Sequence, residues 1–267
     1  MFTEANTVEQ MVLDTCVKLG WRYVYAPTLP RQTSEVFAES LLRQALITLN
    51  PEIAAQPDRS DEVIYKLRAI LLSVQNDGLV RSNEALSEWL QGDKTMPFGP
   101  NGEHTTVRLI DFDNPANNDL AVCNQWTYQI GQLAKRFDVV LLVNGIPIVI
   151  GEAKTPARPA VTWVDGASQV HDDYEQSVPA MFVPNVFSFA TEGKVFRYGS
   201  VRMPLDIWGP WRDAGNQAEG TLADVRKSVN SMFRPQVVLD ILQNFTLFAT
   251  DKKHRRIKTI CRYQQYE

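Results

Sequence analysis

The stretch FDVVLLVNGIPIVIGEAK, residues 137–154, constrains this chain more than any other. Two apolar runs meet at Asn144-Gly145, a pair suited to a tight turn, so the stretch reads as a buried β-hairpin. Asp138 stands near the open end of one strand, Glu152 and Lys154 at the open end of the other. Charges beside an apolar core are costly unless they are paired or bind a metal. Side chains alternate along a strand, so Glu152 and Lys154 share a face, and register decides whether Asp138 joins them. A two-residue Asn144-Gly145 loop would set Asp138 opposite Gly151 and on the wrong face. A three-residue loop with Gly145 left-handed in a bulge pairs Asp138 with Ile150 and brings all three charges together. A working site thus requires the odd-length loop, and a two-residue turn without a compensating bulge would count against it.

Two carboxylates converging within a few ångströms repel each other and call for a cation. Mg²⁺ suits them, as a hard ion that takes one or two carboxylates with waters and a substrate phosphate. A lysine alongside can orient an attacking water and offset developing phosphate charge. The pattern therefore suits metal-assisted phosphodiester hydrolysis. Spacing alone leaves two readings open, because D-x(n)-E-x-K is short and common: a functional site, or two strand ends reaching solvent.

The 267 residues, 44% of them hydrophobic, can bury a full core. A net charge of −4 argues against bulk electrostatic coating of nucleic acid but not against a nucleic-acid enzyme with acidic metal ligands. Cys16, Cys123 and Cys261 form neither a disulfide framework nor a zinc motif. With no signal peptide and no apolar run long enough to cross a bilayer, a cytoplasmic protein without membrane contact is expected.

Apolar spacing predicts a helix over 7–19, opened by a Thr7–Gln10 capping box and stopped by Gly20. Helices at about 34–49, 60–74 and 82–91 would form an insertion before the first strand, expected at 105–112. A turn-rich loop over 113–119 precedes the hairpin. A helix near 165–177, strands at 185–191 and 194–200, a linker or surface excursion over 203–220, and helices near 221–232 and 235–244 follow. The order is that of an α/β fold.

Longer strings carry a resemblance. VRLIDFDNPANNDLAVCNQWTYQ (107–129), the hairpin, and EQSVPAMFVPNVFSFATEGKVFRYGS (175–200) closely resemble the N-terminal region of the restriction (R) subunit of type I restriction–modification enzymes. The opening VEQMVLDTCVKLGWRYV (8–24) does so too, and the closing LDILQNFTLFATDKKHRRIKTICRYQQYE is similar to the lead-in to that subunit's helicase-like motor. The resemblance implies a PD-(D/E)xK restriction-endonuclease-like core, a mixed central sheet flanked by helices, over residues 1–202. The helical insertion would occupy about 34–92, with residues 203–267 as a linker and helical extension into a motor. It further implies Asp138 and Glu152 as metal ligands, joined by the Ala153 carbonyl and Glu9, with Lys154 as the catalytic lysine. The implied cofactor is Mg²⁺, with ATP confined to the motor, which suits the lack of any GxxxxGK[ST] string here. The implied partners are double-stranded DNA and the modification and specificity subunits.

The family also places a glutamine and a tyrosine four residues apart on the next helix. Gln169 and Tyr174 are five apart, which in an α-helix separates them by about 140°. Tyr174 is the better match, and a helix start between the two would restore their proximity. The basic tail, Lys252, Lys253, Arg255 and Arg256, suits either a DNA-tracking surface or a solvated linker. Two other readings stay open: a stand-alone repair or junction nuclease of the same fold, and a docking domain derived from one.

Overall fold

A computed structural model of the chain describes residues 5–155, 160–212 and 218–266. Helix α1 (Ala5–Lys18) begins two residues before its expected start and buries Val8, Met11, Val12 and Cys16. It ends at Gly20, which has the left-handed φ of 103° that glycine adopts without a Cβ clash. Strand β1 (Arg22–Tyr25) follows directly. Helices α2 (Glu39–Leu49), α3 (Pro51–Ala55), α4 (Arg59–Asp77) and α5 (Leu79–Leu90) come next, over the stretch expected to be helical.

The strand expected at 105–112 is almost absent. Only Thr105–Thr106 (β3) forms a ladder, with Thr95–Met96 (β2). Val107, Leu109 and Ile110 are buried without sheet partners. Asparagines replace the ladder: Asn50 accepts from the Arg108 N–H at 2.7 Å and donates to its carbonyl at 2.9 Å. Asn144 donates to the Leu109 carbonyl at 2.8 Å. Backbone groups satisfied in this way have no need of a strand.

The next strand, β4 (Leu120–Ile130), was not expected at all, nor was β1. Strand β5 (Leu133–Val143) and β6 (Ile146–Ala153) form the expected hairpin. Helix α6 (Trp163–Ser168) continues through a π-helical turn, Gln169–Tyr174, into α7 (Glu175–Ser177). Strands β7 (Phe187–Thr191) and β8 (Phe196–Gly199) complete a six-stranded sheet in the order β1-β4-β5-β6-β7-β8. The β1–β4 and β6–β7 pairs are parallel and the others antiparallel, so this is a mixed sheet flanked by helices.

The asparagine-rich loop before β4 is a structural knot. Asn118 accepts from the Asp111 N–H at 2.9 Å and from the Asn144 side chain at 2.8 Å. Asn144 in turn accepts from the Asp119 N–H at 2.8 Å. The knot ties the β5–β6 turn to the loop, while the Gly145 carbonyl accepts from the Ala38 N–H at 2.8 Å. A Cβ on Gly145 would lie 2.4 Å from the Ala38 carbonyl oxygen, so only glycine permits this approach.

Among its described residues, the stretch 203–220 is not detached: Trp208 and Trp211 are buried, and Gly209 bridges to Tyr198. Residues 213–217 of it lie outside the described residues. Helices α8 (Leu222–Met232) and α9 (Pro235–Asn244) match their expected bounds closely. The Trp21 indole donates to the Phe233 carbonyl at 2.7 Å, joining the end of α8 to the end of α1. Phe233 also enters the aromatic cluster of Phe187, Phe189 and Phe196 on the sheet. Beyond α9 the basic tail forms a separate two-stranded hairpin, β9 (Thr246–Thr250) and β10 (Arg256–Ile260), before a short α10 (Tyr263–Tyr266). No helix among the described residues is long and apolar enough to cross a membrane.

Candidate active site

The central hairpin turns through Asn144 and Gly145 alone, both left-handed, with Val143 opposite Ile146 and Leu142 opposite Pro147. The expected three-residue loop is therefore not present. Instead Ile148 bulges, and beyond it Leu141 pairs with Val149 and Val139 with Gly151. One extra residue on β6 does the work expected of the odd-length loop. It shifts the register by one and leaves Asp138 level with Glu152 on one face.

The Ala153 N–H donates to Asp138 Oδ2 at 3.0 Å. Lys154 Nζ lies 2.8 Å from Glu152 Oε1. Gly151 is held against the Phe189 ring, which a Cβ there would penetrate. Helix α6, opened by a Thr162–Asp165 capping box, sets Gly166 so close that its Cβ would lie 3.5 Å from Glu152 Cγ. These contacts fix the strand end.

Glu152 is only 4% exposed. Burial, and then the charge of Asp138, push its carboxyl up to about 8 despite Lys154. Burial raises Asp138 as well, against the Ala153 amide and the Lys154 charge. Glu9, on α1, is raised by burial first and by Asp138 in addition, so it lies within electrostatic reach of the pair.

Gln169 and Tyr174 do meet. The π-helical turn, in which the Glu175 N–H reaches the Val170 carbonyl, absorbs the extra residue. Lys154 Nζ donates to Gln169 Oε1, and Gln169 Nε2 donates to the Tyr174 hydroxyl. The hydroxyl donates onward to the Arg136 carbonyl at 3.3 Å. Burial holds the Tyr174 hydroxyl far above the usual phenol range, so it remains a proton donor. A continuous chain thus runs from Glu152 through Lys154 and Gln169 to Tyr174. His171, on the same turn, pairs with Asp172 at 2.7 Å.

Strand β4 contributes residues that the sequence reading missed. Asn124 donates to Glu9 Oε1 at 3.0 Å and accepts from the Tyr23 hydroxyl at 2.9 Å. Gln125, left-handed at φ 58°, interrupts the β4–β5 ladder at the level of Asp138 and bonds toward Glu9. The available signal was the polar pair Asn124-Gln125 inside an apolar run, visible only once that run is read as a strand.

The tail residues are elsewhere. Lys252 and Lys253 are exposed on the β9–β10 loop, Arg255 pairs with Asp251 at 2.9 Å, and Arg256 pairs with Glu84 on α5. None of the four bonds to a site residue among the described residues.

Among the described residues no three His, Cys, Asp or Glu side chains converge as a metal-binding group. The two facing carboxylates nevertheless fit a hard divalent cation. Both are oxygen donors, both are raised by desolvation, and the buried Glu152 Oε2 has no hydrogen-bond partner among the described residues.

The same chain has clear relatives. It is 29% identical, over 98% of its length, to the HindI type I restriction enzyme endonuclease subunit of Haemophilus influenzae, covering 26% of that protein. A Methanocaldococcus jannaschii protein named for the MjaIXP type I restriction enzyme endonuclease subunit is 25% identical over 90% of the chain, which covers 24% of it. The EcoprrI endonuclease subunit of Escherichia coli is 26% identical over 57% of the chain and is covered for 49% of its length. The chain thus spans about a quarter of the length of the first two relatives. Residues 1–206 match the family described as the type I restriction enzyme R protein N terminus, and the chain belongs to that family.

Proposed function

We propose that this chain is a nuclease domain of the PD-(D/E)xK type that hydrolyses phosphodiesters of double-stranded DNA with Mg²⁺. The observation that carries the reading is the bulge-set register, which aligns Asp138 with Glu152 while Lys154 and an unpartnered Glu152 oxygen complete the strand end. Asp138, Glu152, the Ala153 carbonyl and Glu9 would hold the metal. When bound, Mg²⁺ would act as a Lewis acid and lower the pKa of a coordinated water.

The chain's own residues do the remaining work. Lys154, anchored by Gln169 and indirectly by Tyr174, holds a positive charge where an attacking water and the phosphate would meet. Tyr23 and Asn124 set the direction of the Glu9 carboxylate. In a full-length R subunit, cleavage would be coupled to ATP-driven translocation in a downstream motor. Modification and specificity subunits would then select the DNA, in the cytoplasm. Lys252 and Lys253 remain candidates for DNA contact, whereas Arg255 and Arg256 already hold carboxylate partners.

The test is Glu152→Ala in the full-length gene, reconstituted with the modification and specificity subunits, with plasmid cleavage and ATP hydrolysis measured together. Cleavage should fall by about 10²–10³-fold with ATP hydrolysis retained, the scale of losing a principal electrostatic group. Unchanged cleavage would make the hairpin charges structural.

A further inference from the structure

Beyond the site, strands β4 and β5 run on where β6 stops. The last β5–β6 pair is Val139 with Gly151, whereas β4 and β5 stay paired out to Ile130 with Leu133. A two-stranded ribbon therefore projects past the sheet at its catalytic end. Its base is braced: Arg31 donates to the Thr127 carbonyl at 2.6 Å, and Lys135 pairs with Asp173 at 2.7 Å. Its tip is bare. Residues 129–134 are all exposed, with Ile130 at 46% and Leu133 at 39%, and no acidic residue occurs from Gln129 to Phe137.

Arg136 sits on this ribbon two residues before Asp138, on the same side and about 7 Å away along the strand. It is exposed, and among the described residues its guanidinium forms no ion pair and no hydrogen bond. Its charge nonetheless acts on both Asp138 and Glu9. A guanidinium that faces two carboxylates and binds neither is available to a third, anionic group. A phosphate diester suits its forked donors.

Resting on the nuclease reading above, we propose that the β4–β5 ribbon seats the DNA. Arg136 grips a backbone phosphate beside the scissile one, and the uncharged tip lies in a groove of the duplex. A major groove about 12 Å wide admits a two-stranded ribbon. Apolar side chains at such a tip press against base edges or wedge between them.

The experiment measures binding of the intact protein to a fluorescent duplex, without divalent cation so that cleavage does not intervene, across a salt series. Arg136→Ala should weaken binding several-fold for any DNA sequence and lower the slope of log K against log salt by about one. Arg136→Lys should restore the slope but not the full affinity. Changing Ile130 and Leu133 together to serine should weaken binding and leave the slope unchanged. Unaltered affinity and slope in Arg136→Ala would overturn the proposal, even with cleavage lost in Glu152→Ala and the nuclease reading intact. Lost binding in Arg136→Ala with cleavage intact in Glu152→Ala would instead remove the chemistry from Glu152 and keep the ribbon as the DNA-binding element.

Discussion

Glu152 shows how far this protein departs from the most stable arrangement at one residue. Its carboxyl is raised from 4.5 to about 8, so between those values the folded chain binds a proton that the unfolded chain has released. The linkage sign follows: where the folded state binds more protons, stability falls as pH rises. Glu152 thus destabilises the metal-free fold progressively from about pH 4.5 to about pH 8. Glu152→Gln keeps the shape and removes the charge. Its melting temperature should exceed that of the unaltered protein by a few degrees at pH 8, with the difference shrinking toward pH 4.5. Scanning calorimetry at a series of pH values in chelator checks this, and a Gln variant that melts lower at pH 8 would contradict it. The residue types at this strand end were legible in the sequence, as Asp138, Glu152 and Lys154. The environment that raises the Glu152 pKa was not, because burial depends on Gly166 and Phe189 arriving from other elements.

At the scale of elements, two one-residue irregularities make the site. A bulge at Ile148 corrects the hairpin register, and a π-helical turn reconciles five-residue spacing with a Gln169–Tyr174 contact. Each is a single inserted residue absorbed locally, as bulges and π-turns commonly are. Deleting Asp172, which is exposed, should convert the π-turn to an α-turn with Gln169 and Tyr174 four apart and still in contact. Cleavage should stay within a few-fold of the unaltered protein and thermal stability should not fall. A loss as large as that of Gln169→Ala would mean the wider turn is itself needed. Periodicity revealed the helix and the hairpin but neither irregularity. A bulge leaves no mark in an apolar run whose residues are all buried, and strand β4 was hidden between an asparagine-rich loop and a glycine turn.

Across the whole molecule, the C-terminal hairpin is joined to the helix that carries the site. Lys258 on β10 is buried and donates to the Asn185 carbonyl at 2.6 Å, and burial pushes its ammonium down to about 7. Glu175, next to Tyr174, is buried too and pushed up to about 8, and each charge acts on the other. Glu175 Oε2 accepts from the Arg202 N–H at 2.9 Å. Lys258→Met should cost about 1–3 kcal/mol, since it removes a buried donor from the Asn185 carbonyl, which keeps the Asn83 amide, and a favourable charge from Glu175, which keeps the Arg202 N–H. Adding Glu175→Gln should recover part of that loss. Urea unfolding of both variants measures it, and additive penalties in the double variant would show that the two charges are not coupled.

The α/β class, the central hairpin, the helices ahead of it and the chemistry-bearing residue types are legible in the sequence alone. Those follow from local periodicity, turn chemistry and the cost of placing charge beside apolar runs. Which charges meet is a property of the assembled fold. It set Asp138 level with Glu152, brought Glu9 alongside through Asn124, and left Arg136 without an ion pair among the described residues while engaging Arg255 and Arg256 elsewhere. The physical reason is that register, burial and ion pairing depend on contacts between residues far apart in the chain, which no local pattern encodes.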